Sequence, residues 1–128
     1  MINSEKTSLI LKGFYKVYNS LGFGFLEKVY ENALFHELNK NGLNCRKQVP
    51  IKVYYDEIQV GDYYADLIID EDIIIELKAN ESLIDEHEFQ LINYLKATNI
   101  EVGLLLNFGK EPQFRRKVFS NERKNLIR

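Results

Sequence analysis

Apolar residues recur at helical spacing from the start of the chain. Leu9, Ile10, Phe14, Val17, Tyr18 and Leu21 share one side of a helix over residues 5–20, with Ser4 as its cap. Leu21-Gly22-Phe23-Gly24 breaks that pattern. A second helix runs from Phe25 to Lys40, with Leu26, Val29, Tyr30, Ala33, Leu34 and Leu38 on its apolar side and Gly42 as terminator. The period then shortens to two. Val49–Tyr55 reads as a strand, Asp56-Glu57 as a turn, and Ile58–Ile69 as a long strand kinked near Gly61. Asp70-Glu71-Asp72 is a second tight turn before a third strand, Ile73–Lys78. Short turns joining three strands predict an antiparallel meander.

Residues 84–98 return to helical spacing, and Val102–Asn107 is a short apolar strand. The third strand, this helix and this strand form a β-α-β unit, which predicts a parallel pair with a right-handed crossover. Gln113–Phe119 adds an edge strand. The expected class is α/β with a mixed sheet, in the order helix, helix, three strands, helix, strand.

One strand carries charge where the pattern calls for apolar residues. Ile73-Ile74-Ile75-Glu76-Leu77-Lys78 is a core strand ending in two charges, and alternation puts Glu76 and Lys78 on one face. Burying such groups is costly unless they are paired. Asp66, in the preceding strand, can lie beside Glu76 across the turn. Two neighbouring carboxylates repel, and a divalent cation with hard oxygen ligands removes the conflict. A lysine one pleat away would hold a water or a phosphate oxygen near that cation. The same residues also read as a structural ion pair at a strand end, with Asp66 capping a turn. Polar side chains on two helices weigh toward chemistry. Glu27 and Tyr30 lie three apart on one helix, and Gln90 and Tyr94 lie four apart on another. His87, one turn before, reads as an exposed helix residue.

Composition narrows the class further. The 128 residues are 45% hydrophobic and 28% charged, which fits one domain over residues 1–128. The lone cysteine, Cys45, excludes an internal disulfide and a cysteine-based zinc site, and points to a reducing, cytoplasmic setting. The polar start Asn3-Ser4-Glu5-Lys6 does not read as a signal peptide, and no apolar run reaches the ~20 residues of a membrane span. The net charge of −2 excludes a uniformly basic nucleic-acid binder. Residues 109–128, however, hold seven basic side chains against two acidic ones: Lys110, Arg115, Arg116, Lys117, Arg123, Lys124 and Arg128. They form either a basic strip beside an acidic centre or a solubilising tail.

Gly24-Phe25-Leu26-Glu27-Lys28-Val29-Tyr30, with Glu31-Asn32-Ala33-Leu34, His87–Thr98 and Gly103–Gly109 after it, resembles the GxxExxY proteins over residues 5–120. That family is placed among PD-(D/E)xK nuclease-like folds, whose restriction-endonuclease-like core is α-β-β-β-α-β; here an extra N-terminal helix precedes it. The resemblance implies that Asp66 and Glu76 ligate Mg²⁺ (or Mn²⁺), that Lys78 is the motif lysine, and that Glu27 helps to position metal or water. Gln90 and Tyr94 match a Gln-x-x-x-Tyr motif that supports the lysine or contacts nucleic acid, and Tyr30 is expected to contact nucleic acid as well. Ala65 stands where the motif name has proline. The expected function is Mg²⁺-dependent phosphodiester hydrolysis in DNA or RNA, with Arg115, Arg116 and Lys117 on flanking phosphates and a homodimer supplying two sites for two strands. The alternative is a non-catalytic nucleic-acid-binding or partner-dependent interaction protein on the same fold.

Overall fold

The computed structural model describes residues 2–124. Two helices come first, α1 (Ser4–Leu21) and α2 (Glu27–Lys40). Three strands follow, β1 (Cys45–Tyr55), β2 (Ile58–Ile69) and β3 (Ile73–Lys78). Then come α3 (Asp85–Lys96), β4 (Val102–Phe108), β5 (Pro112–Val118) and a single 3₁₀ turn at Asn121–Arg123. The strands lie in one five-stranded sheet whose spatial order follows the chain. Only β3 and β4 run parallel, joined through α3; the other neighbours are antiparallel. No helix among the described residues is long and apolar enough to cross a membrane.

The mixed sheet and the β-α-β unit agree with the sequence pattern, and the differences have local causes. Ser4 is not the cap of α1. The helix begins one residue earlier, where Asn3 in a left-handed conformation (φ 54°) accepts the Thr7 amide at 2.9 Å. β1 starts at Cys45, four residues before the expected Val49, because its backbone is fixed from outside. The Asn39 side chain accepts from Cys45 N at 2.9 Å and donates to Cys45 O at 3.2 Å. Both hairpin turns place their central residues at positive φ, Asp56 and Glu57 in one, Asp70 and Glu71 in the other. That geometry matches the right-handed twist of paired strands.

Alternation along β3 divides the core. Ile73, Ile75 and Leu77 face α1 and α2 and pack with Phe14, Tyr30 and Leu34. Ile74 faces α3 and packs with Leu91, Tyr94 and Leu95. α3 sits close on β4 because Gly103 has no side chain; a Cβ there would lie 2.6 Å from Leu91 Cδ1. β3 and β4 therefore have both faces covered, the expected state of a parallel pair. The carboxyl ends of these two strands lie together, and the chain leaves β3 there by a loop that leads to α3. That loop is clamped by Asn107, fully buried in β4, whose side chain accepts from Asn80 N and donates to Asn80 O, both at 3.0 Å.

Candidate active site

β2 and β3 pair regularly only over Leu67–Ile69 and Ile73–Ile75. One residue further the ladder is replaced by side chains. The Asp66 amide donates to Glu76 Oε2 at 2.8 Å, and the Leu77 amide donates to Asp66 Oδ2 at 2.8 Å. Each carboxylate accepts an amide that a neighbouring main-chain carbonyl would otherwise satisfy. The cause lies on the other side of β2. Gln48 of β1 stands opposite Asp66 with φ 54°, and the β1–β2 pairing skips this one level while keeping its register from Lys47↔Leu67 to Val49↔Ala65. The side chains change faces at that level. Cys45, Leu67 and Ile69 belong to the α1–α2 core, whereas Ile51 and Ala65 belong to the α3 core. Beyond Gln48 the hairpin is an arm, residues 49–65, paired with itself and not with β3.

The split leaves two acids side by side in poor solvent. Glu76 is only 6% exposed, and burial together with the Asp66 charge pushes its carboxyl up to about 8. Asp66 is also raised, chiefly by burial and then by Glu31 and Glu27; the Leu77 amide and Lys78 act against the shift. Lys78 is partly buried, stands level with Asn107 in β4, and takes part in none of the ion pairs among the described residues.

α2 and α3 reach this end of the sheet from opposite faces. Glu27 opens α2 and is exposed; its charge is felt at Asp66, Glu76 and His87. Glu31, one turn on, is 4% exposed, accepts Lys28 Nζ at 2.9 Å and Gln48 Nε2 at 2.7 Å, and ties the interrupted level of β1 to α2. In the sequence, the signal for a role of Glu31 is its position four residues after Glu27, on the same helix face. On α3, Gln90 Nε2 donates to the Tyr94 hydroxyl at 2.7 Å, and Tyr94 is buried within the influence of Glu76 and Asp66. His87 is half-buried rather than exposed. Its Nδ1 accepts the Ile84 amide at 3.3 Å at the start of α3, and burial followed by the Lys78 charge lowers its pKa.

Tyr30, Glu27 and the basic residues of β5 take other positions than the sequence pattern suggested. Tyr30 cannot contact nucleic acid: it has no exposed surface, its ring stacks on Phe108 at 4.3 Å, and its hydroxyl donates to Gly22 O at 2.7 Å and accepts Phe25 N at 3.2 Å. It belongs to the apolar stripe with Leu34 and Leu38 and fastens the α1–α2 loop from inside. Glu27 does not join Asp66 and Glu76 in a three-acid cage. Among the described residues no three His, Cys, Asp or Glu side chains converge on one ion position. Arg115, Arg116 and Lys117 do not form one strip, because adjacent strand residues face opposite sides. Arg115 and Lys117 both pair with Glu88, while Arg116 turns to the carbonyl of Ile2. Lys124 is likewise engaged, on the carbonyls of Thr98 and Ile100, and Arg128 lies outside the described residues.

The donor chemistry suits a divalent cation that keeps much of its own water. Mg²⁺ is commonly held by only one or two carboxylates, and Asp66 and Glu76 are two hard donors in a site that penalises their joint ionisation. Cys45 is no competing nucleophile, since burial pushes its thiol up to about 12. The fold is similar to the crystal structure of SSO0001, with a TM-score of 0.58 and 23% identity over 92% of this chain. The chain covers 59% of that protein, so the likeness concerns the fold of that portion. No curated protein matches. The sequence model of the PD-(D/E)XK nuclease superfamily matches residues 4–118, the whole sheet with all three α-helices, and the chain belongs to that superfamily.

Proposed function

We propose that the protein is a divalent-metal-dependent nuclease that hydrolyses phosphodiester bonds in DNA through Asp66, Glu76 and Lys78. The observation that carries this reading is the reciprocal bonding at the split, where each carboxylate accepts an amide of the other strand, beside a lysine that makes no ion pair among the described residues. Asp66 and Glu76 would hold Mg²⁺ or Mn²⁺. When bound, such an ion supplies charge neutralisation at the phosphate and an acidified water. The two acids must be ionised for this, and the amides of Asp66 and Leu77 fix one oxygen of each so that the others can turn outward. Lys78 donates to the attacking water or to a phosphate oxygen and stabilises the negative charge that grows as the bond to the leaving oxygen breaks. Gln90 holds the Tyr94 hydroxyl on the same face. Glu27, exposed at the mouth, orients water rather than metal.

A single cysteine, Cys45, fits a cytoplasmic setting. A homodimer would bring two such sites to two strands, which a solution mass would reveal. One observation favours a second reading, a binding module without catalysis: among the described residues no three His, Cys, Asp or Glu side chains converge on one ion position.

The decisive assay incubates folded protein with single- and double-stranded DNA and RNA in Mg²⁺, Mn²⁺ or EDTA, beside Glu76→Gln. Cleavage that needs metal and is lost in the variant is the expected result. Equal cleavage by the variant would assign the activity elsewhere, and no cleavage of any substrate would turn the reading to the binding module.

A further inference from the structure

A groove of about 670 Å³ lies between the arm and α3. The arm contributes Tyr54 and Tyr63, and α3 contributes Phe89 and Tyr94, with Lys52 and Lys96 in the same lining. The Tyr63 and Tyr94 ring centroids are 5.6 Å apart at 46°. Tyr63 is 48% exposed and Phe89 58%, so rings of two elements face water across one cleft. The groove adjoins the candidate active site through Tyr94, which lines the groove and feels the charges of Glu76 and Asp66. Gln90 and Tyr94 belong to both, and Tyr94 packs in one cluster with Ala65 and Ile74, neighbours of Asp66 and Glu76 in β2 and β3.

We infer that this groove holds an unpaired DNA strand, stacking its bases on the arm and α3 rings, and leads it to the Asp66–Glu76 pair. The leading step rests on the nuclease reading, whereas strand binding rests on the groove alone. In a duplex both faces of each base are already stacked, so a wall of rings can recruit only bases that are free. Lys52 and Lys96 add the positive charge that a phosphate backbone requires, against Glu86 alone among the acidic residues of the lining. The remaining wall is mostly apolar (Val53, Val60, Gly61 and Ala97), with Asn93 as its one further amide side chain, so it offers few partners to a 2′-hydroxyl, which favours DNA over RNA. The arm is suited to the task by its origin. The same positive φ at Gln48 that parts β2 from β3 carries residues 49–65 to the α3 side, so one backbone feature opens the site and builds the groove beside it.

The test is fluorescence anisotropy in EDTA and low salt, with a labelled oligothymidylate of about 12 nucleotides, a range suited to a single stacking groove. A duplex and an oligouridylate of equal length serve as comparisons, and the full chain is used with Tyr63→Ala, Tyr63→Phe and Lys52→Ala. The single DNA strand should bind tightest. Tyr63→Ala should weaken it about 5- to 100-fold, the effect of one lost base stack, and Tyr63→Phe should retain it. Lys52→Ala should reduce the salt dependence by about one phosphate contact. Duplex or RNA bound as tightly as single-stranded DNA would overturn the inference. So would unchanged binding by Tyr63→Ala whose circular dichroism is that of the parent. Failure of this inference is separable from failure of the nuclease reading. Glu76-dependent cleavage with Tyr63-independent binding removes the groove alone, and Tyr63-dependent binding without cleavage upholds the groove and removes only the chemistry.

Discussion

The two halves of β3 share a strand and a backbone direction but not an environment. Ile73, Ile74 and Ile75 are fully buried and pair with β2 on one edge and β4 on the other. Glu76, Leu77 and Lys78 continue the pairing with β4 alone, and on the other edge carboxylates have replaced main-chain carbonyls. A complete ladder satisfies every main-chain group and leaves nothing for a side chain to do. Here the ladder opens where β2 leaves with the arm, and the two acids accept the amides that it frees. The first half of the strand makes the second half affordable.

Truncation in the first half should have the largest effect on stability. Ile75→Ala removes a fully buried side chain that packs beneath α1 and α2 and should cost about 2–5 kcal/mol. Urea denaturation would show it as a lower midpoint with little change in slope. Molecules still folded at low temperature should cleave within a few-fold of the parent rate. If folded Ile75→Ala were as inactive as Glu76→Gln, the two halves would not be separable.

The second half should respond to pH and metal. The Glu76 carboxyl is raised to about 8 by burial and by Asp66, from an ordinary value of 4.5. The folded state therefore binds more protons than the unfolded one between these values. The stability this confers is full below pH 4.5 and is lost as pH rises through 8. Asp66 is raised too and adds the same sign. Metal-free protein should thus lose on the order of a few kcal/mol between pH 5 and 8.5. Glu76→Gln should flatten most of that slope, and Mg²⁺ should restore stability at the alkaline end until EDTA removes it. Asp70 and Glu37 are shifted down, so their contributions disappear only in more acidic solution and stay outside this window, whereas the lowered His87 adds a contribution of opposite sign in its acidic part. A melting temperature that rose with pH in the metal-free protein would contradict the burial of Glu76.

Much of this was legible in the sequence, for a specific reason. Asp66, Glu76 and Lys78 stand out because apolar alternation is broken by charge inside strands, where burial makes charge costly. Glu31 did not stand out, because a carboxylate on a helix ordinarily faces water; only the backbone excursion at Gln48 brings an amide to meet it. The start of β1 was hidden by Arg46-Lys47-Gln48, exposed residues whose strand conformation depends on pairing with β2 and on Asn39. Asn107 read as one more residue of an apolar strand, and its clamp on Asn80 is a contact across 27 positions of sequence. The basic residues of β5 were a different failure. Their number was visible, and so was the two-residue period that sends Arg115 and Arg116 to opposite faces, but the two were not combined.

The tyrosines on the two covering helices give the smallest and most discriminating test. Tyr30 and Tyr94 have the same sequence description, an aromatic residue one helical turn from a polar partner, and both are buried, but only Tyr94 lies within the influence of the two acids. The Tyr30 hydroxyl holds Gly22 O and Phe25 N on either side of the loop into α2. Tyr30→Phe leaves a carbonyl and an amide without their partner and should cost about 1–2 kcal/mol, with rates at full folding unchanged. The Tyr94 hydroxyl is held by Gln90, which is itself only half-buried and can turn to water when the hydroxyl is gone. Tyr94→Phe should therefore cost less than about 1 kcal/mol. Because that hydroxyl lies between the groove and the two acids, its loss should lower cleavage more than it lowers stability. Thermal melts and initial rates on both variants separate the roles. Equal stability losses with unchanged rates would make Tyr94 a second core tyrosine, and the groove would then end short of the carboxylates.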